Sequence, residues 1–143
     1  MRVQDFVKKN VTTVGQEASI QEVARKMAEE DIGFLPVVDS SGKPVGTITD
    51  RDIVVRLIAK GTDAKNARVD QAMTKDVVSV RPDEDLSRVA DLMKDRKVSR
   101  VLVCDQGGRP VGVISLGDLA ERHEEQEVGR TVKEVKEGTT LTH

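Results

Sequence analysis

Aromatic residues are almost absent from this sequence, which contains no tryptophan or tyrosine and only two phenylalanines, Phe6 and Phe34. Proteins that bind single-stranded nucleic acids usually stack the bases on aromatic side chains. The chain also lacks an excess of one charge, because its 23 lysines and arginines are interspersed with 25 aspartates and glutamates. A mixed, nearly neutral surface argues against general binding to nucleic acids or membrane surfaces. A base bound by this chain would therefore rest on aliphatic side chains.

Cysteine and long apolar runs are also scarce. The single cysteine, Cys104, lies in the apolar stretch VLVC, which excludes an internal disulfide and favours a buried strand position over a metal or catalytic role. No window approaches the roughly 18 apolar residues of a membrane span, and the N-terminus has no apolar segment of signal-peptide length. We therefore expect a cytoplasmic protein. His123 and His143 have no nucleophile beside them in the sequence, and we expect His123 on a helix surface.

The sequence contains an internal repeat with an offset of 66 residues. The stretch GKPVGTITDRD, which ends at Asp52, matches GRPVGVISLGD, which ends at Asp118, and the alignment extends without a gap back to Val11 and Val77. A chain of 143 residues can hold two half-size units that share one core, since neither buries enough surface alone. The identical positions of the two copies include Val14/Val80, Val23/Val89, Ala24/Ala90, Met27/Met93, Val37/Val103, Asp39/Asp105, Gly46/Gly112 and Ile48/Ile114.

Each copy has the pattern of a β-α-β-β-α unit. In the first, VTTV and FLPVVD are predicted strands, SIQEVARKMAEE is a helix with a capping signature at Ser19 and Glu22, and VGTIT completes a hairpin before a helix from about Asp50 to Gly61. The second copy repeats this order with VVSV, DLSRVADLMKD, RVLVCD, VGVIS and LGDLAERH. The predicted divisions are repeat 1 (1–60), a linker with a short helix (61–76), the core of repeat 2 (77–123) and a charged C-terminal tail (124–143).

Both copies resemble CBS domains, the units named after cystathionine β-synthase that occur in tandem as a Bateman module. The resemblance covers about residues 1–123 and rests on the glycine, hydroxyl and aspartate spacing of GTITDRD and GVISLGD after a Pro-Val strand. DIGFLPVVD followed by TDRDIVVRLIAKG is similar to small stand-alone bacterial CBS-pair proteins. The resemblance implies an α/β (α+β) fold in which two β-α-β-β-α repeats pack sheet to sheet about a pseudo-two-fold axis. It also implies two clefts that bind adenine nucleotides or related adenosyl ligands.

The aspartates that end the motif, Asp52 and Asp118, are the main candidates for ligand contact, because a carboxylate can accept hydrogen bonds from both vicinal hydroxyls of a ribose. Three residues earlier, Thr49 and Ser115 stand where a strand gives way to a helix, so each hydroxyl can cap the helix or reach a phosphate. The glycine three residues before each hydroxyl would let chain and ligand approach closely. The alternative is that the hydroxyls are only caps and the aspartates only complement the helix dipole.

Two arginines are candidate phosphate contacts. The resemblance implies this role for Arg100, which with Val101 begins the strand that contains VLVC. Arg51 lies between the hydroxyl and the aspartate of the first motif, and a guanidinium fork suits phosphate. The alternative for each arginine is an exposed, solvated side chain.

The first repeat departs from this arrangement. Phe34 stands at the position that matches Arg100, which weakens the phosphate side of its site. Phe34, Leu35 and Pro36 could instead pack a base, or they could simply belong to the core. The second motif in turn lacks the residues that match Asp50 and Arg51. We therefore expect the two clefts to differ in affinity and preference.

The resemblance, supported by these residues, implies a regulatory module that senses an adenosyl ligand, with AMP, ADP or ATP foremost, NAD or S-adenosylmethionine as further candidates, and no metal required by the sequence. A ligand that bridges the repeats would favour one orientation, which an effector protein or the module's own homodimer detects. The resemblance also implies a disc-shaped homodimer, whose expected contact lies on the apolar faces of the motif helices and includes Ile53, Leu57 and Leu119. We predict no enzyme activity, because Asp52 and Asp118 belong to separate clefts. The alternative is a structural module with empty clefts whose dimer is the function.

Overall fold

The computed structural model describes residues 1–8 and 10–136, apart from the side chains of residues 127, 128 and 130–136. The end of the predicted tail, including His143, lies outside the described residues. The elements follow in the order α1 (Val3–Phe6), β1 (Val14–Gly15), α2 (Ile20–Glu30), β2 (Phe34–Val38), β3 (Pro44–Thr49), α3 (Asp50–Ile53), β4 (Ser79–Val80), α4 (Leu86–Arg96), β5 (Arg100–Cys104), β6 (Pro110–Ser115) and α5 (Leu116–Lys136). A π-helical turn, Val54–Ile58, extends α3, and two 3-10 turns, Ala64–Asn66 and Val69–Gln71, lie between the repeats.

Each repeat forms a three-stranded mixed sheet, and the two sheets have the same topology. β2 pairs parallel with β1 and antiparallel with β3, and β5 pairs in the same way with β4 and β6. The registers match across the duplication, since Phe34 pairs with Thr49 and Arg100 pairs with Ser115. Both antiparallel pairs also have a register shift at the equivalent place. The predicted β-α-β-β-α order is therefore present twice.

The segment that precedes each repeat packs in the core of the other repeat. Val3 of α1 is fully buried among residues of the second repeat, and Val69 of the linker is fully buried among residues of the first. Backbone hydrogen bonds fix this exchange, from the Val3 amide to Glu84 O at 2.9 Å and from the Val69 amide to Ala18 O at 2.8 Å. Each packing unit thus combines one repeat with the segment that precedes the other repeat. The sequence divisions given above for the repeats and the linker stay a prediction.

The two sheets pack against each other with the faces that their helices leave free. Leu35 and Val37 of β2 lie in the first helical core, so that Phe34 and Pro36 are on the opposite face, because side chains alternate along a strand. Pro36 and its equivalent Leu102 are both fully buried and belong to neither helical core. They fill the contact between the sheets.

Contacts between equivalent residues show the pseudo-two-fold relation of the repeats. At the hairpin tips, the side chain of Lys43 faces Gly108, and the side chain of its equivalent, Arg109, faces Gly42. Arg109 Nε also donates a hydrogen bond to Ser41 O at 3.2 Å. Each hairpin therefore contacts its own counterpart, as expected for a sheet-to-sheet pair about a two-fold axis.

Two of the residues predicted as a dimer surface belong to the interior. Ile53 and Leu57 are only 8% and 3% exposed and lie in the first core, while Leu119 is partly buried against the second core. The prediction is wrong for Ile53 and Leu57, because the helix presents these side chains to its own sheet. Among the described side chains of the motif helices, the large apolar ones that are exposed are Val54, Val55, Ile58 and Leu116.

Further observations concern two single residues and two kinds of special site. Cys104 is buried, as predicted, and burial raises the pKa of its thiol. His123 is exposed on α5, which continues through the predicted limit of the second repeat. Among residues 1–8 and 10–136, no helix combines the length and apolar character needed to span a membrane. The same residues contain no group of three histidines, cysteines or carboxylates placed to hold a metal ion.

Candidate functional site

The motif at the end of β3 folds into a reciprocal capping box. The Thr49 hydroxyl accepts a hydrogen bond from the Asp52 amide at 3.0 Å, and the Thr49 amide donates to Asp52 Oδ2 at 2.9 Å. Ser115 and Asp118 make the same two bonds at 3.0 and 2.9 Å. This geometry needs a spacing of three residues, because the N-cap and the third helical residue face each other across the first turn. Both repeats therefore have the helix caps that the alternative interpretation of these residues predicts.

Capping leaves part of the Asp52 carboxylate available. A carboxylate offers about four acceptor positions, and the capping box uses one of them on Oδ2. The other oxygen, Oδ1, lies 3.7 Å from Arg56 Nε, and the Asp52 side chain is 18% exposed. Capping and ribose binding use different lone pairs of the same side chain, so the two interpretations are compatible.

A cavity between the repeats, which we call the first cleft, brings together candidates that are far apart in the sequence. Thr49 and Asp52 line it together with Phe34 and Arg100. Its volume is about 270 Å³, close to the smaller ligand pockets of proteins at roughly 300 Å³. Both polar and aliphatic side chains line it, as in small-molecule sites of proteins. The other lining residues are Thr47, Thr74, Asp76, Val78, Lys97, Val98, Ser99 and Leu102.

Phe34 and Arg100, which both line the first cleft, contact each other. The guanidinium carbon of Arg100 lies 5.2 Å from the centroid of the Phe34 ring, which is within the range of a cation–π contact. The two residues occupy equivalent positions of the repeats, so an arginine in place of Phe34 would set two like charges together at the pseudo-axis. The candidates predicted separately for a base and for a phosphate therefore belong to one cleft.

The charges of the first cleft favour an anion on one side. Asp52 and Asp76 are its carboxylates, and Lys97 and Arg100 are its cations. Asp76 is already paired, since Arg96 Nη2 lies 2.7 and 2.8 Å from its two carboxylate oxygens. The remaining groups are one carboxylate that can accept hydrogen bonds and two cations that can meet a phosphate.

Besides Ser115 and Asp118 of the second motif, four predicted contacts do not line the first cleft. Leu35 and Val101 are completely buried in the two helical cores, and Pro36 is buried between the sheets. Burial removes these three side chains from ligand contact, so the core alternative describes them. Arg51 is exposed and is not among the residues that line this cleft or the cavity beside α5.

The second motif aspartate lines a different cavity. Asp118 borders a space of about 370 Å³ between α1, β6 and α5, and Ser115 is not part of its lining. Four carboxylates and two cations line this space, so it is more acidic than the first cleft. The predicted difference between the two sites is present in their charges, and the difference in affinity stays a prediction. The other lining residues are Asp5, Phe6, Val7, Lys8, Val113, Ile114, Glu121, Arg122 and Glu125.

The motif glycines permit a close approach of protein to protein. A Cβ atom at Gly46 would lie 2.8 Å from Met73 Sδ and 2.8 Å from Thr74 O, and one at Gly112 would lie 2.5 Å from Val7 Cγ2. Contacts below 3 Å are steric overlaps, so neither position accommodates a side chain without movement. The predicted close approach of the chain is present, and the approaching chain is the segment that precedes each repeat.

One wall of the first cleft was not predicted from the sequence. Thr74 pairs with Thr47 at the edge of the first sheet, through hydrogen bonds of 2.8 and 2.9 Å in both directions. Thr74 and the nearby Asp76 thereby reach the cleft. Pattern analysis assigned this stretch to a linker, because nothing in its composition indicates which sheet it joins.

Arg56 is a second feature that was not predicted. Its Nη1 donates hydrogen bonds of 3.1 Å to Ala72 O and to Met73 O, and its Nε faces Asp52. A signal was available, because Arg122 stands 66 residues further on and so repeats Arg56 at the offset of the duplication. The alignment of the repeats extends four residues beyond the motif aspartates.

The fold and the cleft define a class of protein: two duplicated β-α-β-β-α units, joined sheet to sheet, with a small-molecule cleft between them. A family model described as the CBS domain matches residues 3–59 and 69–125, which is most of the chain. The chain therefore belongs to the CBS-domain family, as a tandem pair. The resemblance found in the motifs is confirmed.

Relatives of the chain include both small proteins and large enzymes. The CBS domain-containing protein YhcV of Bacillus subtilis is 36% identical over 118 residues, which are 82% of this chain and 82% of YhcV. The homoserine O-acetyltransferase of Methanohalobium evestigatum is 34% identical over 123 residues, which are 86% of this chain and only 24% of that enzyme. This chain thus spans about a quarter of the enzyme's length.

A solved structure gives the fold and a ligand class for a similar protein. The CBS domain pair of protein MJ0100, in complex with 5′-methylthioadenosine and S-adenosyl-L-methionine, is 31% identical to this chain with a TM-score of 0.75. The alignment covers 88% of this chain and 98% of that one. Similarity at this level confirms the predicted fold.

Proposed function

We propose that this CBS pair is a regulatory module, without catalytic activity, that binds an adenosyl ligand in the first cleft. AMP, ADP or ATP is the foremost ligand class, and NAD or S-adenosylmethionine is the next. The observation that carries the proposal is that Asp52, Thr49 and Arg100, from two different repeats, line one cavity. A ribose acceptor and a phosphate donor are therefore within reach of one nucleotide.

The residues divide the ligand between them by chemistry. Asp52 accepts hydrogen bonds from the ribose hydroxyls on the lone pairs that capping leaves free. Lys97 and Arg100 meet the phosphates or another anionic group. The base rests on aliphatic lining such as the partly exposed Val98, as expected for a chain with so few aromatic residues. The complex of the MJ0100 pair with 5′-methylthioadenosine and S-adenosyl-L-methionine supports an adenosyl ligand, and the roles of the individual residues are part of the proposal.

Signalling follows from the position of the cleft between the repeats. A ligand held by Asp52 on one side and Arg100 on the other binds best at one relative orientation of the sheets, so it shifts the population toward that orientation. The readout is an effector protein or a homodimer of this chain. The acidic cavity at Asp118 is a second, weaker site for a nucleotide, since carboxylates there repel phosphate. The cytoplasmic location stays a prediction of the sequence.

Absence of turnover is part of the proposal. Acid–base catalysis needs two groups that converge on one bond, whereas Asp52 and Asp118 line separate cavities. ATP incubated with the protein and magnesium should therefore be recovered unchanged. Hydrolysis that disappears in Asp52→Asn would move the protein into the enzyme class.

Titration calorimetry of the purified protein with AMP, ADP, ATP, NAD and S-adenosylmethionine tests the proposal. Asp52→Asn is the matched variant, because the side-chain carbonyl of asparagine can still accept the hydrogen bond from the Thr49 amide. Loss of hydrogen bonds to a charged acceptor should weaken binding by roughly 1.5–3 kcal/mol, about 10- to 100-fold. Asp118→Asn serves as the comparison and should leave the tighter binding event unchanged. Equal binding by wild type and Asp52→Asn would exclude the first cleft.

A second candidate function has its own observation. Val54, Val55 and Ile58 are 53%, 45% and 57% exposed on the helix that follows the first motif, and a cluster of exposed apolar side chains is typical of a protein–protein contact. A dimerisation module with empty clefts would use this face. A homodimer in sedimentation at micromolar concentration, together with calorimetry that detects no ligand, would favour this function over sensing.

A further inference from the structure

One guanidinium group contacts both the motif aspartate of the first cleft and the linker segment that precedes Thr74. Arg56 Nε lies 3.7 Å from Asp52 Oδ1, and Arg56 Nη1 donates to the carbonyls of Ala72 and Met73 at 3.1 Å each. The aspartate belongs to the motif of the first repeat, whereas the two carbonyls belong to the segment that leads into the second. Arg56 is therefore a direct link between the ribose acceptor and the chain that joins the repeats.

On the motif side, Arg56 completes the fixation of the Asp52 carboxylate. Oδ2 is held by the Thr49 amide at 2.9 Å, and Oδ1 is attracted to the guanidinium. A carboxylate that is oriented at both oxygens loses less conformational freedom when a ligand binds, which favours affinity. The Arg56 side chain is 42% exposed, so solvent partly screens its charge and the Coulomb energy of the pair is small.

On the linker side, Arg56 holds the turn that delivers a wall of the cleft. The carbonyls of Ala72 and Met73 immediately precede Thr74, whose amide donates to Thr47 O at 2.8 Å. Thr74 lines the first cleft. If the turn moves, this wall moves with it, since only two backbone hydrogen bonds join Thr74 to Thr47.

The second repeat provides an internal comparison. Arg122 occupies the position equivalent to Arg56, but its guanidinium lies over the Phe6 ring at 5.9 Å from the centroid. Phe6 is itself the equivalent of Ala72, so both arginines contact the segment that packs across from the other repeat. In the part of the chain that the structure describes, no ion pair joins Arg122 to Asp118. The link from motif aspartate to exchanged segment belongs to the first repeat.

We propose that Arg56 is a positioning residue that couples occupancy of the first cleft to docking of the 72–74 segment against β3. This inference rests on the proposed function, since it assumes that Asp52 receives the ligand. Ligand at Asp52 and a docked segment stabilise the same position of the guanidinium, so each favours the other. Ligand binding thereby stabilises the docked position of the segment that connects the repeats.

The test compares four variants with the wild type, using AMP and S-adenosylmethionine as probes in calorimetry and the amide exchange rate of Thr74 by NMR. Arg56→Met removes charge and donors, whereas Arg56→Lys keeps a cation that can reach the carbonyls. Lys60→Gln removes an exposed cation beyond the same helix and controls for general electrostatics. Asp52→Asn, alone and with Arg56→Met, measures the coupling of the two residues.

We expect Arg56→Met to weaken probe binding about fivefold, the scale of a partly exposed charged contact, and to accelerate Thr74 exchange without ligand. Arg56→Lys should restore most of both, and Lys60→Gln should change neither. In the Asp52→Asn background, Arg56→Met should add little further loss. Full additivity of the two changes, no rescue by lysine, or an equal effect of Lys60→Gln would overturn the proposal.

Failure of the proposed function is recognisable separately. If wild type binds no adenosyl compound, the sensing function is wrong, and the exchange data of the free protein then decide the role of Arg56. Faster Thr74 exchange in both Asp52→Asn and Arg56→Met, without additivity, would support the link between aspartate and segment. Unchanged exchange in both variants would refute it.

Discussion

Replacement of Gly46 by alanine tests how tightly the linker segment docks on the first sheet. The new Cβ would lie 2.8 Å from Thr74 O, a backbone atom, and 2.8 Å from Met73 Sδ. A flexible methionine side chain can move away cheaply, but the Thr74 carbonyl can move only with its hydrogen bond to the Thr47 amide, which is 2.9 Å long. The substitution therefore acts on one wall of the first cleft without touching the motif side chains.

The magnitude follows from two opposing effects. Overpacking of a close contact costs about 1–3 kcal/mol, while alanine restricts the unfolded chain and returns about 0.4–1 kcal/mol. The net loss of unfolding free energy should be about 1–2 kcal/mol, which for a domain of this size corresponds to roughly 3–6 °C in Tm.

The assay is thermal and urea unfolding followed by circular dichroism, with Gly15→Ala as the matched control. Gly15 also lies in a strand, but nothing is within 4 Å of the Cβ position there, so its replacement should change stability by less than about 0.5 kcal/mol. Equal stabilities of Gly46→Ala and Gly15→Ala would refute the close docking of the segment.

Three further predictions concern the surface, the thiol and the response to acid. Ile58→Glu should shift any dimer toward monomer in sedimentation without loss of Tm, because Ile58 is exposed, whereas Leu57→Glu should unfold the protein, because Leu57 is 3% exposed; a dimer that persists in Ile58→Glu would exclude this face. Cys104 should react with iodoacetamide at pH 8 far more slowly in the native than in the urea-unfolded protein, because burial covers it and raises the pKa of its thiol; equal rates would contradict the burial. A hydrogen bond from Ser41 is the main cause that lowers the pKa of Asp39. The stabilisation that the ionised Asp39 contributes is present above the ordinary pKa of an aspartate and is lost as pH falls through the lowered value. Ser41→Ala should therefore reduce Tm at pH 7 more than at pH 2, and an equal loss at both would contradict this.

The duplication made most of the fold predictable. Every strand and helix of the two units was indicated by patterns that recur at the same offset, and Thr49 with Asp52 was placed at the strand-to-helix junction. The packing of α1 and the linker was not predictable. Val3 and Val69 are both buried, but composition alone does not indicate which of the two cores buries each of them. Helix periodicity also cannot tell which apolar stripe of α3 meets its own sheet, so Leu57 was expected at a surface.

Part of the site depended on three-dimensional information. The meeting of Phe34 and Arg100 requires the sheets to pack with those strand faces together, which the alternation of β2 and β5 shows only once the helices are placed on the other side. Neighbours on a strand point to opposite faces, so only one of Phe34 and Leu35 can face the cleft. The sequence does not indicate which one, because both side chains are apolar. One of them lines the first cleft and the other is fully buried.

The central claim is that an adenosyl ligand binds between Asp52 of one repeat and Arg100 of the other. An NMR titration with AMP, ADP, ATP, NAD and S-adenosylmethionine tests it directly, because backbone amides and the Arg100 Nε–H report on both sides of the first cleft at once. The account predicts saturable shifts, with at least one of these compounds, at Thr49, Asp52, Ser99 and the Arg100 Nε–H, and their loss in Asp52→Asn. Shifts confined to residues outside the first cleft, or none with any of the five compounds, would contradict it.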